Sequence, residues 1–594
     1  MERLYDEDVE SKLEGAKMIL QLAEFAGNIE SLCLLSRVLN DDYKKSTDFT
    51  LAMMRIFWCL SNFLQLHPVL ANYRIGAVTL KIVEFELKRH QLRVEEERSL
   101  EAAAGNAPAG SDALAQLDRD RKRNKKRMKK QDQLLFVCIS VLLNLAEDIH
   151  TERKMVKRKI VVFLAKMLDR VSPELVILTI VFLKKLSIFE ENKDAMLELG
   201  VVDRLLRYVR CNHDKTVQTS LKLLFNLSFD PELRDLLVRN SLIPKLVELL
   251  KKPPFRALSL RILYHLSMDD RCKSMFTYTE AIPIVMQLVI NFPQNHVAKE
   301  LAALAVNLSL NARNAELMCQ NRGLEALTTR VFRTRDPLLM KVIRNISLWT
   351  YTLQEDLVSD KMYKYRGMWA PFVVPLLELC VATDNHDFMI EALATLANLT
   401  PNDLPQKASW DRLVADHGVL PFLCKLLVPG FSQDDMLLEV VLFVSALALE
   451  PRCAPLLASS RILRTFHALF QEKQHDNELT LQLLYAFYRM LRHPETFDEI
   501  LFGVGFVPDL LLAADAPNVE VRRMCDVLMD LIVDHDLSDT GVMGEFGRHI
   551  RQRRFEIHNA EYLEMLHDEA HNATARSRLG MRGGYGEPED DDED

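Results

Sequence analysis

The stretch LKLLFNLSFDPELRDLLVRNSLIPKLVELL, Leu221 to Leu250, contains one complete unit of a pattern that the rest of the chain restates. Its first part sets Leu221, Leu224, Phe225 and Leu227 at the i, i+3, i+4 spacing that gives a helix one apolar face. Asp230-Pro231 closes that helix and opens the next, because a proline at N1 lacks only an N–H that has no intrahelical partner. PELRDLLVRN reads as a short second helix, with Asn240 expected at its C′ position in a left-handed conformation. SLIPKLVELL is the third, with Pro244 in its first turn and Leu242, Leu246, Leu249 and Leu250 on its buried side. Three helices in about 42 residues, none with enough apolar surface to stand alone, describe one layer of a stack.

The aliphatic residue of the N-L-S triplet recurs as Leu145, Leu186, Leu227, Leu266, Leu308, Ile346 and Leu399 and, more faintly, as Leu447, Met490 and Leu531. The intervals, by subtraction of those numbers, are 41, 41, 39, 42, 38, 53, 48, 43 and 41. A second landmark moves in step, at Pro244, Pro283, Pro421 and Pro508. Glycine stands before the third helix at Gly200, Gly323, Gly418 and Gly505, where a helix C-cap calls for it. Two independent landmarks with one period near 42 predict an all-α, armadillo-repeat solenoid forming a right-handed superhelix. The two-helix HEAT unit is the near competitor, and the glycine-then-proline junction argues against it.

Composition agrees. The 594 residues are 48% hydrophobic and 27% charged, with a net charge of −9. No apolar run is long enough to span a bilayer, and MERLYDEDVE shows no signal-peptide pattern, so the expectation is a soluble intracellular chain without a transmembrane segment. The ten cysteines are scattered singly, never as C-x-x-C, and read as free thiols in a reducing compartment.

Five regions are expected along the chain. Residues 1–91 are armadillo-type helices, including a helix at 12–26 and a repeat-like stretch at 51–73 with Leu60 in the landmark position. Residues 92–131 are a charged insertion, a projecting helical hairpin or a mobile loop, ending in RKRNKKRMKK, Arg121 to Lys130. Residues 132–550 carry the array, 551–570 a C-terminal helix, and 571–594 a disordered acidic tail ending EPEDDDED.

Catalysis finds no candidate residues, and no cofactor or metal is called for. There is neither G-x-x-x-x-G-K-[ST] nor G-x-S-x-G, and FGVG at 502–505 is a helix junction. His567 and His571 are i, i+4, but no glutamate stands in the H-E-x-x-H position and no third ligand is near. The basic run suggests a nuclear signal or a nucleic-acid patch. A solvated charged helix is its plainer reading, since an acidic chain offers no wider basic field for a phosphate backbone.

The sequons at Asn226, Asn307, Asn345 and Asn398 stand inside helices of an intracellular chain, so glycosylation is not their purpose. Asn144, Lys185, Asn226, His265, Asn307, Asn345 and Asn398 instead occupy equivalent positions on equivalent helices and line up as a ladder. Two readings stay open and are compatible. The amides pair with the backbone of an extended partner, or they hold neighbouring repeats together. Lys185, Lys222, Lys341 and Arg344 make the same face locally cationic, which completes a candidate partner-binding groove. Trp349, Tyr351, Tyr363, Tyr365 and Trp369 fill the long 53-residue interval, as a partner site or as a loop folded onto the stack.

The segments FLKKLSIFEENK (182–193), LLFNLSFD, LYHLSMDDRCKSMF (263–276), RDPLLMKVIRNIS (335–347) and LLNLAED (142–148) resemble those of the kinesin-associated proteins, the non-motor accessory subunits of heterotrimeric kinesin II. ANYRIGAV, ELKRH and FEIHNAEYLEML fit the same family, and the likeness runs from about Leu4 to Glu569. Family members usually carry a further N-terminal region, whereas Met1 here stands almost at the first repeat. The resemblance implies a non-catalytic adaptor without cofactor or small-molecule substrate. It would bind the tails of two kinesin heavy chains, couple them to cargo proteins, and act in the cytoplasm, on the cytoskeleton and in the cilium or flagellum. A nuclear-import receptor would need tryptophan four residues before each ladder asparagine; Ser140, Lys222, Ala303, Lys341 and Ala394 stand there instead. An enzyme scaffold of the phosphatase-subunit kind is excluded by no residue.

Overall fold

The computed structural model describes residues 31–105, 112–355, 367–428, 430–534, 542–567 and 569, and every regular element among them is helical. The helix expected at 12–26, Tyr363, Tyr365, His571 and the acidic tail at 571–594 lie outside the described residues, as does the side chain of Tyr351. The helices that position the candidate site are α1 (Thr47–Ser61), α2 (Ile75–Gly105), α3 (Asp112–Leu145), α4 (Pro173–Leu186), α5 (Asp214–Leu227), α6 (Pro231–Arg239), α7 (Leu242–Leu250), α8 (Pro253–Leu266) and α9 (Lys299–Ser309). They are followed by α10 (Pro337–Glu355), α11 (His386–Ala397), α12 (Asp434–Leu447), α13 (Asn477–Met490), α14 (Val519–Asp534) and α15 (Val542–His558).

Helices α5, α6 and α7 are one armadillo unit, and local chemistry explains their limits. The Asp230 carboxylate accepts from the Leu233 N–H at 3.0 Å, capping α6 ahead of Pro231. The left-handed residue after α6 is Ser241 (φ 56°), not Asn240 (φ −82°), one place later than expected. Gly200, Gly418 and Gly505 do take up the left-handed conformation at their junctions. Gly323 does not: at φ −61° it is already helical, and Asn321 and Arg322 carry the positive φ instead.

The chain forms two compact units, Met1–Gln287 with Ala298–Asn314, and Leu288–Val297 with Ala315–Asp594. In the first, α1 packs on α3, α3 on α4, α4 on α5, α5 on α8 and α8 on α9, so the ladder helices of successive repeats are neighbours. In the second, α10, α11, α12, α13 and α14 stack in the same way. Leu145, Leu186, Leu227, Leu266 and Leu308 are buried in the first unit, and Ile346, Leu399 and Leu447 in the second.

The described residues of the charged stretch, 92–105 and 112–131, belong to α2 and α3, each of which runs on without a break into the repeat itself, and the two helices pack on each other. A buried polar network fastens their base. Gln131 donates to the carbonyl and carboxylate of Glu86 (2.7 and 2.6 Å). Arg170, ahead of α4, donates to Asp132 (2.8 Å) and to Gln131 (2.9 Å). The regional borders at 91/92, 131/132 and 550/551 therefore each fall inside a continuous helix.

Candidate partner-binding face

Four ladder asparagines are joined to the serine that closes the equivalent triplet one repeat earlier in the chain. Asn144 Nδ2 donates to Ser61 Oγ, Asn226 Nδ2 to Ser187 Oγ, Asn307 Nδ2 to Ser267 Oγ and Asn398 Nδ2 to Ser347 Oγ, each at 3.0 Å. Those serines are buried, and each hydroxyl donates in turn to the carbonyl three residues before it. Ser187 reaches Lys184, Ser228 reaches Phe225, Ser267 reaches Tyr264 and Ser347 reaches Arg344, all at 2.7 Å. A carbonyl in the last turn of a helix lacks an intrahelical donor. The serine supplies one, and the next repeat's asparagine closes the relay.

His265 takes the asparagine's place without breaking the relay. Its Nδ1 lies 2.7 Å from Ser228 Oγ, whose proton goes to Phe225, so Nδ1 is the donor. The imidazole is 8% exposed and stacks on Phe225 at 5.1 Å. Burial, with Arg234 nearby, lowers its pKa and favours the neutral ring. Lys185 has no such tie, and the repeat before it carries Ala146 where a serine would stand. The structure thus joins Asn144, Asn226, His265, Asn307 and Asn398 to neighbouring repeats, and Asn345 is buried as well.

The expected cationic face is largely neutralised in the second unit. Arg344 bonds Glu391 at 3.2 Å and Glu439 at 2.8 Å, and Lys341 lies 3.3 Å from Glu391. Burial raises the Glu439 pKa to about 7; Arg344 opposes that shift and Glu391 adds to it. In the first unit Lys222 is exposed and Lys185 half-buried, and Lys185 partly offsets the effect of burial on Glu152. Trp369 is 1% exposed at the start of the helix Ala370–Ala382, so it belongs to the core.

Sequence reading missed the residue after each serine. Ile188, Phe229, Met268 and Leu310 follow Ser187, Ser228, Ser267 and Ser309, and they are 70%, 57%, 55% and 42% exposed. Leu348 and Leu449 hold the same place in the second unit and are exposed too. Large apolar side chains recurring in solvent once per repeat mark a contact surface rather than a core. The signal was present in the one-letter code, as an apolar letter where the repeat leaves its helix.

Other chemistry is already accounted for. Burial pushes the thiols of Cys380, Cys453 and Cys525 up to about 12, away from thiolate reactivity. Asp526, Asp530 and His558 approach one another, but the Arg554 guanidinium lies 2.5 Å from Asp530 as its cationic partner. Among the described residues no single helix is long and apolar enough to cross a membrane.

The model of the kinesin-associated protein (KAP) family matches residues 1–583. The chain belongs to the kinesin-associated protein family. Solved structures corroborate the armadillo fold without adding to function. One, from work on a phosphorylation switch that controls the interaction between cadherin and beta-catenin, is 14% identical with a TM-score of 0.58, over 90% of this chain and 98% of that one. An engineered protein from a structural genomics consortium is 17% identical with a TM-score of 0.53, over 68% of this chain and 95% of that one. Within a kinesin-associated family member, the relay and the apolar series divide the labour. The first joins repeats, and the second stands exposed to solvent.

Proposed function

We propose that this chain is a non-catalytic adaptor of heterotrimeric kinesin II. It binds the tails of two heavy chains and links them to cargo proteins for microtubule-based transport, including intraflagellar transport, in the cytoplasm and the cilium. The family membership supports the kinesin connection. The observation that carries the binding role is the exposed series Ile188, Phe229, Met268 and Leu310, with Lys222 exposed and Lys185 half-buried among the ladder helices. Repeats stacked about 10 Å apart match the advance of a partner helix over seven residues, about 10.5 Å. An amphipathic tail segment with apolar residues at that spacing and acidic flanks is the complementary surface.

The test is affinity of the full chain for purified heavy-chain tails. Ile188→Asp with Met268→Asp alters two exposed positions, so circular dichroism should be unchanged while tail binding falls at least tenfold. Unaltered binding would move the tail site elsewhere. Failure of the wild-type chain to bind tails at all would sink the adaptor reading.

A further inference from the structure

The first unit holds a cavity of about 770 Å³ between α1, α3 and the start of α4, away from the ladder residues. Its apolar lining includes Trp58 and Phe136, which meet edge to face at 6.3 Å, together with Met128. Val171, 81% exposed just ahead of α4, stands at its edge. That volume lies within the range of ligand-binding pockets, and an aromatic floor open to solvent is the usual seat of an anchor side chain.

Helical periodicity decides which residues of the basic run face this cavity. Arg121, Lys125 and Lys129 are spaced i, i+4, i+8 on α3, one face of the helix, and Met128 and Phe136 lie on the same side. Lys130, one residue off that face, pairs with Asp48 at 3.0 Å. Arg121 lies 3.7 Å from Glu97. Lys125, Lys129 and Arg55 of α1 are exposed and have no ionic partner among the described residues. Against them stand Asp132, held by Arg170 at 2.7 Å, and Glu174, in the first turn of α4 where the helix dipole accommodates it. Three cations without an ion pair, in excess over the single carboxylate of Glu174 around an aromatic floor, have a defined complement.

We infer that this cavity binds an acidic peptide of a partner protein, with one aromatic or large aliphatic residue seated on the floor that Trp58 and Phe136 form together and flanking carboxylates meeting Arg55, Lys125 and Lys129. The basic run is thus one wall of a peptide site. It does not depend on where the motor tails bind. Nucleic acid fits less well, because a phosphate backbone carries a charge at every nucleotide and would bring some of them against Glu97 and Glu174, whereas a peptide can set its carboxylates at Arg55, Lys125 and Lys129 and present neutral residues to the two glutamates.

The test uses the full chain and a fluorescein-labelled dodecapeptide of Asp and Glu around a single Trp, read by anisotropy. Micromolar binding is expected, weakened at least tenfold by Lys125→Glu with Lys129→Glu and by replacing the peptide's Trp with Ser. Because both lysines are exposed, circular dichroism of the variant should match wild type. Equal binding to the charge-reversed variant overturns the site, and indifference to the Trp reduces it to a surface patch. Two competitors decide the occupant. Displacement at lower concentration by a twelve-residue single-stranded RNA overturns the peptide assignment. Displacement by a synthetic copy of residues 582–594, which join Tyr585 to seven acidic residues, at lower concentration than by the unlabelled dodecapeptide assigns the site to this chain's own tail and overturns the partner.

Discussion

Asn226 Nδ2 lies 3.0 Å from Ser187 Oγ, and the Ser187 hydroxyl donates to the Lys184 carbonyl at 2.7 Å, so one repeat's asparagine ends a relay begun at the previous repeat's helix terminus. The two residues should therefore be energetically coupled. Ser187→Ala leaves the Lys184 carbonyl with only the longer Asn226 contact at 3.2 Å, and should cost on the order of 1–2 kcal/mol. Asn226→Ala should cost about 1 kcal/mol. A double-mutant cycle read by chemical denaturation should give a coupling of roughly 0.5–1 kcal/mol. Strict additivity would show that the relay does not operate.

Glu439 makes stability depend on pH. Its folded pKa, about 7, lies above that of an unfolded glutamate, so the native state holds the proton more tightly. The stability it contributes is full below the ordinary carboxylate range and is lost as pH rises through about 7. Glu439→Gln should remove this dependence and exceed wild type by on the order of 2 kcal/mol at pH 8, with the gap closing towards pH 5. Melting temperatures across that range supply the check. A wild-type profile flat from pH 5 to pH 8 would show that Arg344 holds the carboxylate ionised.

Arg170 is the cation inside the network at the base of the long helices. Arg170→Ala removes the partner of buried Asp132 and one bond to Gln131, and should destabilise the first unit by about 3–5 kcal/mol. Hydrogen exchange should quicken first over residues 75–145. Unchanged protection there would place the fastening elsewhere.

The junction glycines separate into two kinds. Gly418 has φ +63° with no atom within 4 Å of an added Cβ, so Gly418→Ala should cost about 1 kcal/mol from backbone conformation alone. Gly323 has φ −61° inside the helical region, and Gly323→Ala should be neutral or mildly stabilising. Equal melting temperatures for the two variants would contradict this division.

The period, the three-helix unit and the buried leucine of each repeat were legible because they follow from spacing within a dozen residues. Junction details were less so. The left-handed residue moved from Asn240 to Ser241, and from Gly323 to Asn321 and Arg322, because conformational preferences of about 1 kcal/mol are easily outweighed by packing. The ladder asparagines were visible as a series, but their partner was not. It lay in the adjoining triplet, in the serine two places on from the equivalent residue of the repeat before. Arg344 and Glu439 are 95 residues apart, and no local spacing announces such a pair.

Asn398 and Ser347 meet at 3.0 Å across 51 residues of chain, the same distance that Asn226 and Ser187 reach across 39 and Asn307 and Ser267 across 40. Side chains rather than connector length therefore set the registration of one layer on the next. The intervening chain becomes a place where length can be added without a change of pitch, much as a ladder keeps its rungs whatever is hung between them. New recognition segments can in this way be acquired by an array of this kind one connector at a time, with the scaffold's own geometry left as it was.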